Sequence, residues 1–144
     1  MIRAFLDSSV LFSSCVSFKG ASHEIIKQGL RGTVALVISN VVLEEVERNL
    51  AEFPRGAAEA LAVFHQYVDS VPFEIVRATE RQVRQAAQYT EEKDAPIVAA
   101  AIRARVDYLA TLDRKHLVGV AVVAERSGLK IVLPEALLGE IRNQ

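Results

Sequence analysis

A chain of 144 residues, 51% hydrophobic and 24% charged, can bury a core without disulfide or metal staples and reads as one domain over residues 1–144. Its formal net charge of −1 excludes an overall basic nucleic-acid binder, although a basic rim around an acidic centre stays compatible with it. The only cysteine, Cys15, excludes an internal disulfide, fits a reducing compartment and reads as a buried structural thiol.

Ile2 to Leu6 is a short apolar run that predicts a buried strand ending at Asp7. Ser8 and Ser9 offer helix capping, and Val10-Leu11-Phe12 opens an apolar helical face. A second helix is expected around Ala21 to Leu30, punctuated by Gly29 and Gly32. Thr33 to Ile38, rich in β-branched residues, predicts a second buried strand. Ser39-Asn40 then caps a helix from about Val41 to Ala51, and Pro54-Arg55-Gly56 breaks it. Ala57 to Val68 reads as another helix with Ala57, Leu61, Phe64 and Val68 on one face. These two helices form an αα-hairpin insert.

Pro72 introduces a third short strand near Phe73 to Val76, followed by a polar helix over about Thr79 to Thr90. Asp94-Ala95-Pro96 opens a helix to about Arg105 that is apolar almost all round and must be buried. Tyr108 to Ala110 is a fourth strand leading to Thr111-Leu112-Asp113, and Lys130 to Leu133 a fifth, stopped by Pro134. Strands alternating with helices predict an α/β class: a three-layer α/β/α sandwich around a mainly parallel sheet of about five strands.

Ligands of open parallel sheets sit at the carboxyl ends of the strands. Asp7 follows the first strand and Asp113 the fourth, whereas Asp107 precedes the fourth and is assigned to the opposite edge. In the helix after strand two the apolar stripe is Val42, Leu43, Val46 and Leu50. At about 100° per residue, Glu44 points away from this stripe, Glu47 lies off its other side, and Glu45 sits at its edge facing a cleft. Asp94 has two readings. Taken alone, Asp before Pro is first of all a helix N-cap, but the buried helix behind it can also bring its carboxylate to the sheet end.

Carboxylates converging in one cleft repel each other and need a cation or protonation. All-oxygen ligation favours Mg²⁺ or Mn²⁺ over zinc, and His23, His65 and His116 show no pairing of a zinc site. His116, three residues after Asp113, either approaches substrate or packs the loop. The chemistry expected of such a cleft is hydrolysis or transfer at phosphorus. Arg114 and Lys115, directly after Asp113, and the group Arg77, Arg81 and Arg84 either position phosphates or are ordinary surface charge.

Four segments then carry a resemblance: Leu6-Asp7-Ser8-Ser9-Val10-Leu11, Ser39-Asn40-Val41-Val42-Leu43-Glu44-Glu45-Val46, Asp94-Ala95-Pro96-Ile97-Val98-Ala99-Ala100-Ala101, and Asp107 through His116. In this order and spacing, over essentially the whole chain, they resemble the PIN-domain family. The resemblance implies a parallel α/β/α sandwich and a Mg²⁺- or Mn²⁺-dependent ribonuclease with Asp7, Glu45, Asp94 and Asp113 as catalytic and metal-holding acids. It also implies that Ser8 and Thr111 orient those acids. Many small prokaryotic members are toxins of type II toxin–antitoxin pairs, so it implies a homodimer and a cognate antitoxin as partner.

The chain departs from the family at Ser9, where Asn is common, and at Arg114-Lys115-His116, where many members carry a further acid. The expected site is therefore one well-held ion, with a second recruited by substrate. A haloacid-dehalogenase phosphatase would need an Asp in place of Ser9, and a receiver domain an acid where Arg77-Ala78-Thr79 follows strand three. The alternative in a different class is a PIN-like RNA- or protein-binding module with little catalysis. The surplus of apolar residues at Ala57, Ala58, Ala60, Leu61, Phe64 and Val68 predicts that part of that helix lies in a dimer or partner interface. No run of about 18 apolar residues occurs, so no membrane helix is expected. Met1 to Asp7 is too short and too early charged for a secretory leader, which makes a cytoplasmic location the expectation.

Overall fold

A computed structural model describes residues 1–144. Five strands form one parallel sheet: β1 (Arg3–Leu6), β2 (Ala35–Ser39), β3 (Glu74–Val76), β4 (Tyr108–Ala110) and β5 (Ile131–Val132), in the order β3-β2-β1-β4-β5. Eight helices connect and follow them: α1 (Ser8–Val16), α2 (Ala21–Arg31), α3 (Asn40–Ala51), α4 (Ala57–Ser70), α5 (Glu80–Ala86), α6 (Ala95–Ala104), α7 (Ala121–Ser127) and α8 (Pro134–Arg142). Successive residues of a strand face opposite sides of the sheet. Ala4, Phe5 and Leu6 are all fully buried, so helices cover both faces around β1. One helical layer packs α2 on α1 and α8, and the other packs α5 on α6, which lies along β2 and β3.

Close approach is built in where α2 meets β2. A Cβ on Gly29 would sit 2.5 Å from Leu36 Cδ1, so glycine is what lets this helix settle on the strand. Helix α6 is buried on nearly all sides, and its small side chains Ala95, Ala99, Ala100, Ala101 and Ala104 allow close approach to both α5 and the sheet.

The expected five-stranded parallel sheet is observed, with differences at element ends. The polar helix over Thr79 to Thr90 is shorter: Thr79 and Gln82 form a capping box, but the helix ends at Ala86, its only buried residue. Beyond Ala86 the chain leaves the helix, and the N–H groups of Tyr89 and Thr90 turn back onto the Ala86 carbonyl. Helices α7 and α8 are absent from the sequence reading. Pro134, read as a strand stop, is also the first residue of α8, where its missing N–H costs nothing. Phe64 is 3% exposed and belongs to the core, so the expected interface on α4 loses its largest member. Ala58 and Val68 remain outside.

The connection from β1 runs to β2 on one side, and β4 pairs with β1 on the other. The sheet's switch point therefore lies between β1 and β4, and their carboxyl ends open a crevice there. Asp7 and Asp113 emerge into that region. Asp107 is at the opposite edge, where its Oδ2 accepts the Arg3 N–H at 2.8 Å.

Candidate active site

Asp7 continues the ladder, donating its N–H to the Ala110 carbonyl at 3.0 Å, and then caps α1. Its carboxylate is 8% exposed and nearly saturated. Oδ1 accepts the Ser8 N–H at 2.7 Å, and Oδ2 accepts the hydroxyls of Thr111 at 2.6 Å and Ser9 at 3.3 Å. Burial pushes the Asp7 carboxyl above its ordinary range. The three donors oppose this, and the charge of Asp113 adds to it.

Glu45 projects from α3, half-buried beside Asp7. Burial raises its carboxyl, the neighbouring Ser8 hydroxyl and Arg48 lower it, and Asp7 raises it again. The Ser8 hydroxyl faces this carboxyl without satisfying full hydrogen-bond geometry, and Ser8 Oγ is one of three buried side-chain polar atoms that have no partner. Glu44 is exposed, and Glu47 is exposed and pairs with His65 at 3.0 Å, so neither contributes to the cleft.

Asp94 resolves its two readings. It stands at the N-cap of α6, yet its side chain makes no capping hydrogen bond. It is 8% exposed and its Oδ2 is buried without a partner. Burial, then the charge of Asp113, push its carboxyl up; Lys93 offsets part of this.

Asp113 behaves in the opposite way. Burial alone would raise it, but the N–H groups of His116 and Lys115, donating to Oδ1 at 2.9 Å and 3.0 Å, and the His116 ring together hold it below its ordinary value. Thr111 Oγ1, fully buried, accepts the Asp113 N–H at 3.1 Å while donating to Asp7. Ser9 adds a second tie, accepting the Leu112 N–H at 3.1 Å.

Asp7, Glu45, Asp94 and Asp113 all line one cleft of about 630 Å³. Phe12, Val16, Ile97 and Leu112 supply its apolar wall. The structure thus brings together the four acids singled out in the sequence. Arg114 and Lys115 are exposed and do not line this cleft; Lys115 borders a neighbouring depression. Arg77, Arg81 and Arg84 lie outside as well, with Arg84 near Glu80. The cation at the cleft is Lys93, which the sequence reading passed over although it directly precedes Asp94.

His116 was also undervalued in the sequence. One ligand atom from each of Asp94, Asp113 and His116 lies within 4.8 Å of the others, and His116 Nδ1 is buried without a hydrogen-bond partner. The signal available in the sequence was its position three residues after Asp113, within the turn that follows β4. The orphaned Asp94 Oδ2 fits a divalent cation: a buried carboxylate oxygen facing other carboxylates is costly unless a positive charge completes it.

Residues 3–115 match the PIN domain family. No curated protein matches the chain. The fold is similar to that of PAE2754 from Pyrobaculum aerophilum, with a TM-score of 0.67 and 18% identity, covering 99% of this chain and 91% of that one. It is similar to VapBC2 from Rickettsia felis, solved bound to a DNA fragment from its promoter, with a TM-score of 0.64 and 12% identity over 91% of this chain and 97% of that one. It is also similar to Mycobacterium tuberculosis VapC20, described as a sarcin–ricin loop cleaving toxin, with a TM-score of 0.56 and 19% identity over 78% and 91% of the two chains. At these identities the likeness is one of fold.

Proposed function

The chain belongs to the PIN-domain family of nucleases, and from that membership we propose that it is a Mg²⁺- or Mn²⁺-dependent endoribonuclease that hydrolyses RNA phosphodiester bonds at this cleft. The observation that carries the reading is the convergence of Asp7, Glu45, Asp94 and Asp113 on one crevice at the sheet's switch point, with Asp94 Oδ2 buried and unpartnered. Asp94 and Asp113 would hold the ion, with Asp7 and Glu45 completing the acid set. A divalent ion held there would supply charge for the phosphate oxygens and lower the pKa of a water bound to it.

The protein's own groups do the rest. Ser8, Ser9 and Thr111 hold the Asp7 carboxylate in one orientation, so that its remaining lone pair faces the cleft. Glu45, in the cleft lining beside Asp7, would accept the proton of the attacking water. Lys93 at the rim, with Arg114 and Lys115 beyond it, meets the flanking phosphates. The apolar wall of Phe12 and Leu112 offers a surface for an unstacked base.

The likeness to VapBC2 and to the toxin VapC20 supports reading the chain as the toxin of a toxin–antitoxin pair with a cognate antitoxin as partner, and a homodimer is part of this proposal. No helix is long and apolar enough to cross a membrane, which accords with a cytoplasmic site of action.

The test is cleavage of a pool of structured and single-stranded RNA by pure protein with Mg²⁺ or Mn²⁺, with chelator, and with Asp7→Asn. Metal-dependent cutting that Asp7→Asn abolishes is the expected result. A folded protein that binds RNA and cuts nothing under any metal would instead make this chain a binding module.

A further inference from the structure

We propose that His116 is itself a ligand, through Nδ1, of the ion held by Asp94 and Asp113, so that the cleft is a mixed nitrogen–oxygen site selecting a first-row transition ion over Mg²⁺. This rests on the reading of the cleft as a metal site and is independent of whether the protein cuts RNA.

Three observations carry it. Asp94 Oδ2 and His116 Nδ1 are two of the three buried side-chain polar atoms without a partner, and their residues, with Asp113, form the trio that offers one ligand atom each within 4.8 Å of the others. Asp113 is pinned so that Oδ1 takes the N–H groups of Lys115 and His116, leaving Oδ2 at 3.4 Å from His116 Nδ1, too far out of line for a hydrogen bond. Neighbouring ligand atoms of a small divalent ion at about 2.1 Å stand about 3 Å apart, so this pair is already near the spacing of two ligands on one ion.

The third observation is the other side of the ring. His116 Nε2 faces Glu91 Oε1 at 4.0 Å. Metal-bound imidazoles place their second N–H toward a carboxylate, which fixes the tautomer and strengthens the ligating nitrogen. The Asp94–Asp113–His116–Glu91 arrangement has that order. Mg²⁺ takes oxygen ligands and keeps its waters, whereas an imidazole nitrogen favours transition ions. Mn²⁺, lowest of that series, is the strictest probe.

The experiment uses the metal-free full chain titrated with Mn²⁺ and read by electron paramagnetic resonance, with spin-echo envelope modulation to detect a directly bound nitrogen, and with Mg²⁺ as competitor. Wild-type protein is expected to show modulation from one imidazole and to prefer Mn²⁺ over Mg²⁺ by roughly ten-fold or more. His116→Gln is expected to lose the modulation and most of that preference, while His23→Gln and His65→Gln keep both. Bound Mn²⁺ without nitrogen modulation in the wild type would overturn the proposal, whatever the variants do. Modulation that persists in folded His116→Gln would also overturn it. Failure of the folded protein to bind Mn²⁺ at all would overturn it together with the reading of the cleft as a metal site.

Discussion

Thr111 Oγ1 donates a 2.6 Å hydrogen bond to Asp7 Oδ2 and so fastens the acid at the end of β1 to the strand beside it. The same oxygen accepts the Asp113 N–H. One buried hydroxyl therefore sets the relative position of two acids 106 positions apart in sequence, Asp7 and Asp113.

Thr111→Val keeps the shape and removes both bonds. It is expected to cost about 1.5–3 kcal/mol in stability, since the acceptor is a buried carboxylate, and to raise the Asp7 carboxyl further. Cleavage is expected to fall by roughly ten-fold or more because the acids lose register, and Thr111→Ser should recover most of it. Urea unfolding and RNA cleavage on the same preparations check both parts.

The acids also predict how stability depends on pH. Asp7, Glu45 and Asp94 have folded-state values above their ordinary ones of 3.8, 4.5 and 3.8. The unfolded chain sheds these protons first, so metal-free stability falls as pH rises from the ordinary values through the folded ones. Asp113 is lowered, so its contribution is present above 3.8 and disappears as pH falls through its folded value. Melting temperature of the metal-free protein should therefore decline from about pH 4 toward neutrality and be restored by Mn²⁺.

Asp94→Asn removes the buried oxygen charge that nothing completes. It is expected to stabilise the metal-free protein by on the order of 1 kcal/mol, about 2–4 °C in Tm, while weakening ion binding. Calorimetry with and without Mn²⁺ separates the two effects; a lower Tm in the metal-free variant would contradict the account.

Cys15 is buried, and burial pushes its thiol up to about 12. The native protein should not react with a disulfide reagent at pH 8, and one thiol should appear on unfolding. Rapid native labelling would show that α1 opens.

On α4, Phe64 and Val68 separate core from surface. Phe64→Ala is expected to cost about 3–5 kcal/mol, whereas Val68→Asp, at a position 36% exposed, should leave the fold intact. If this helix carries the dimer contact, Val68→Asp shifts the elution volume; if not, the two folded forms elute together.

Lys93→Ala is expected to weaken RNA binding and reduce the slope of log affinity against log salt by about 1 if it meets one phosphate. Lys130→Ala, in the depression beside Asp107 at the opposite edge of the sheet, offers the comparison.

Much of this protein is determined locally and could be read from the chain. The largely apolar runs Ile2 to Leu6 and Thr33 to Ile38 marked the central strands β1 and β2, because burial on both faces leaves no room for alternation. Helical periodicity placed Glu45, rather than Glu44 or Glu47, at the edge of its stripe, because side-chain direction on a helix follows from residue number alone. Strand ends likewise separated Asp7 and Asp113 from Asp107. Other features depend on contacts between distant segments. Whether Asp94 caps its helix or faces the cleft is undecidable from Asp-Ala-Pro, since both roles use the same residue at the same position; its bare Oδ2 among the acids settles where it points. Phe64 reads as a surplus apolar residue until α4 lies against its neighbours. His116 has no sequence partner, because the groups that give it meaning come from the loops at Glu91, Asp94 and Asp113. Backbone propensity and periodicity are short-range and survive in sequence, whereas the state of a lone pair depends on which atoms the fold brings within about 3 Å of it.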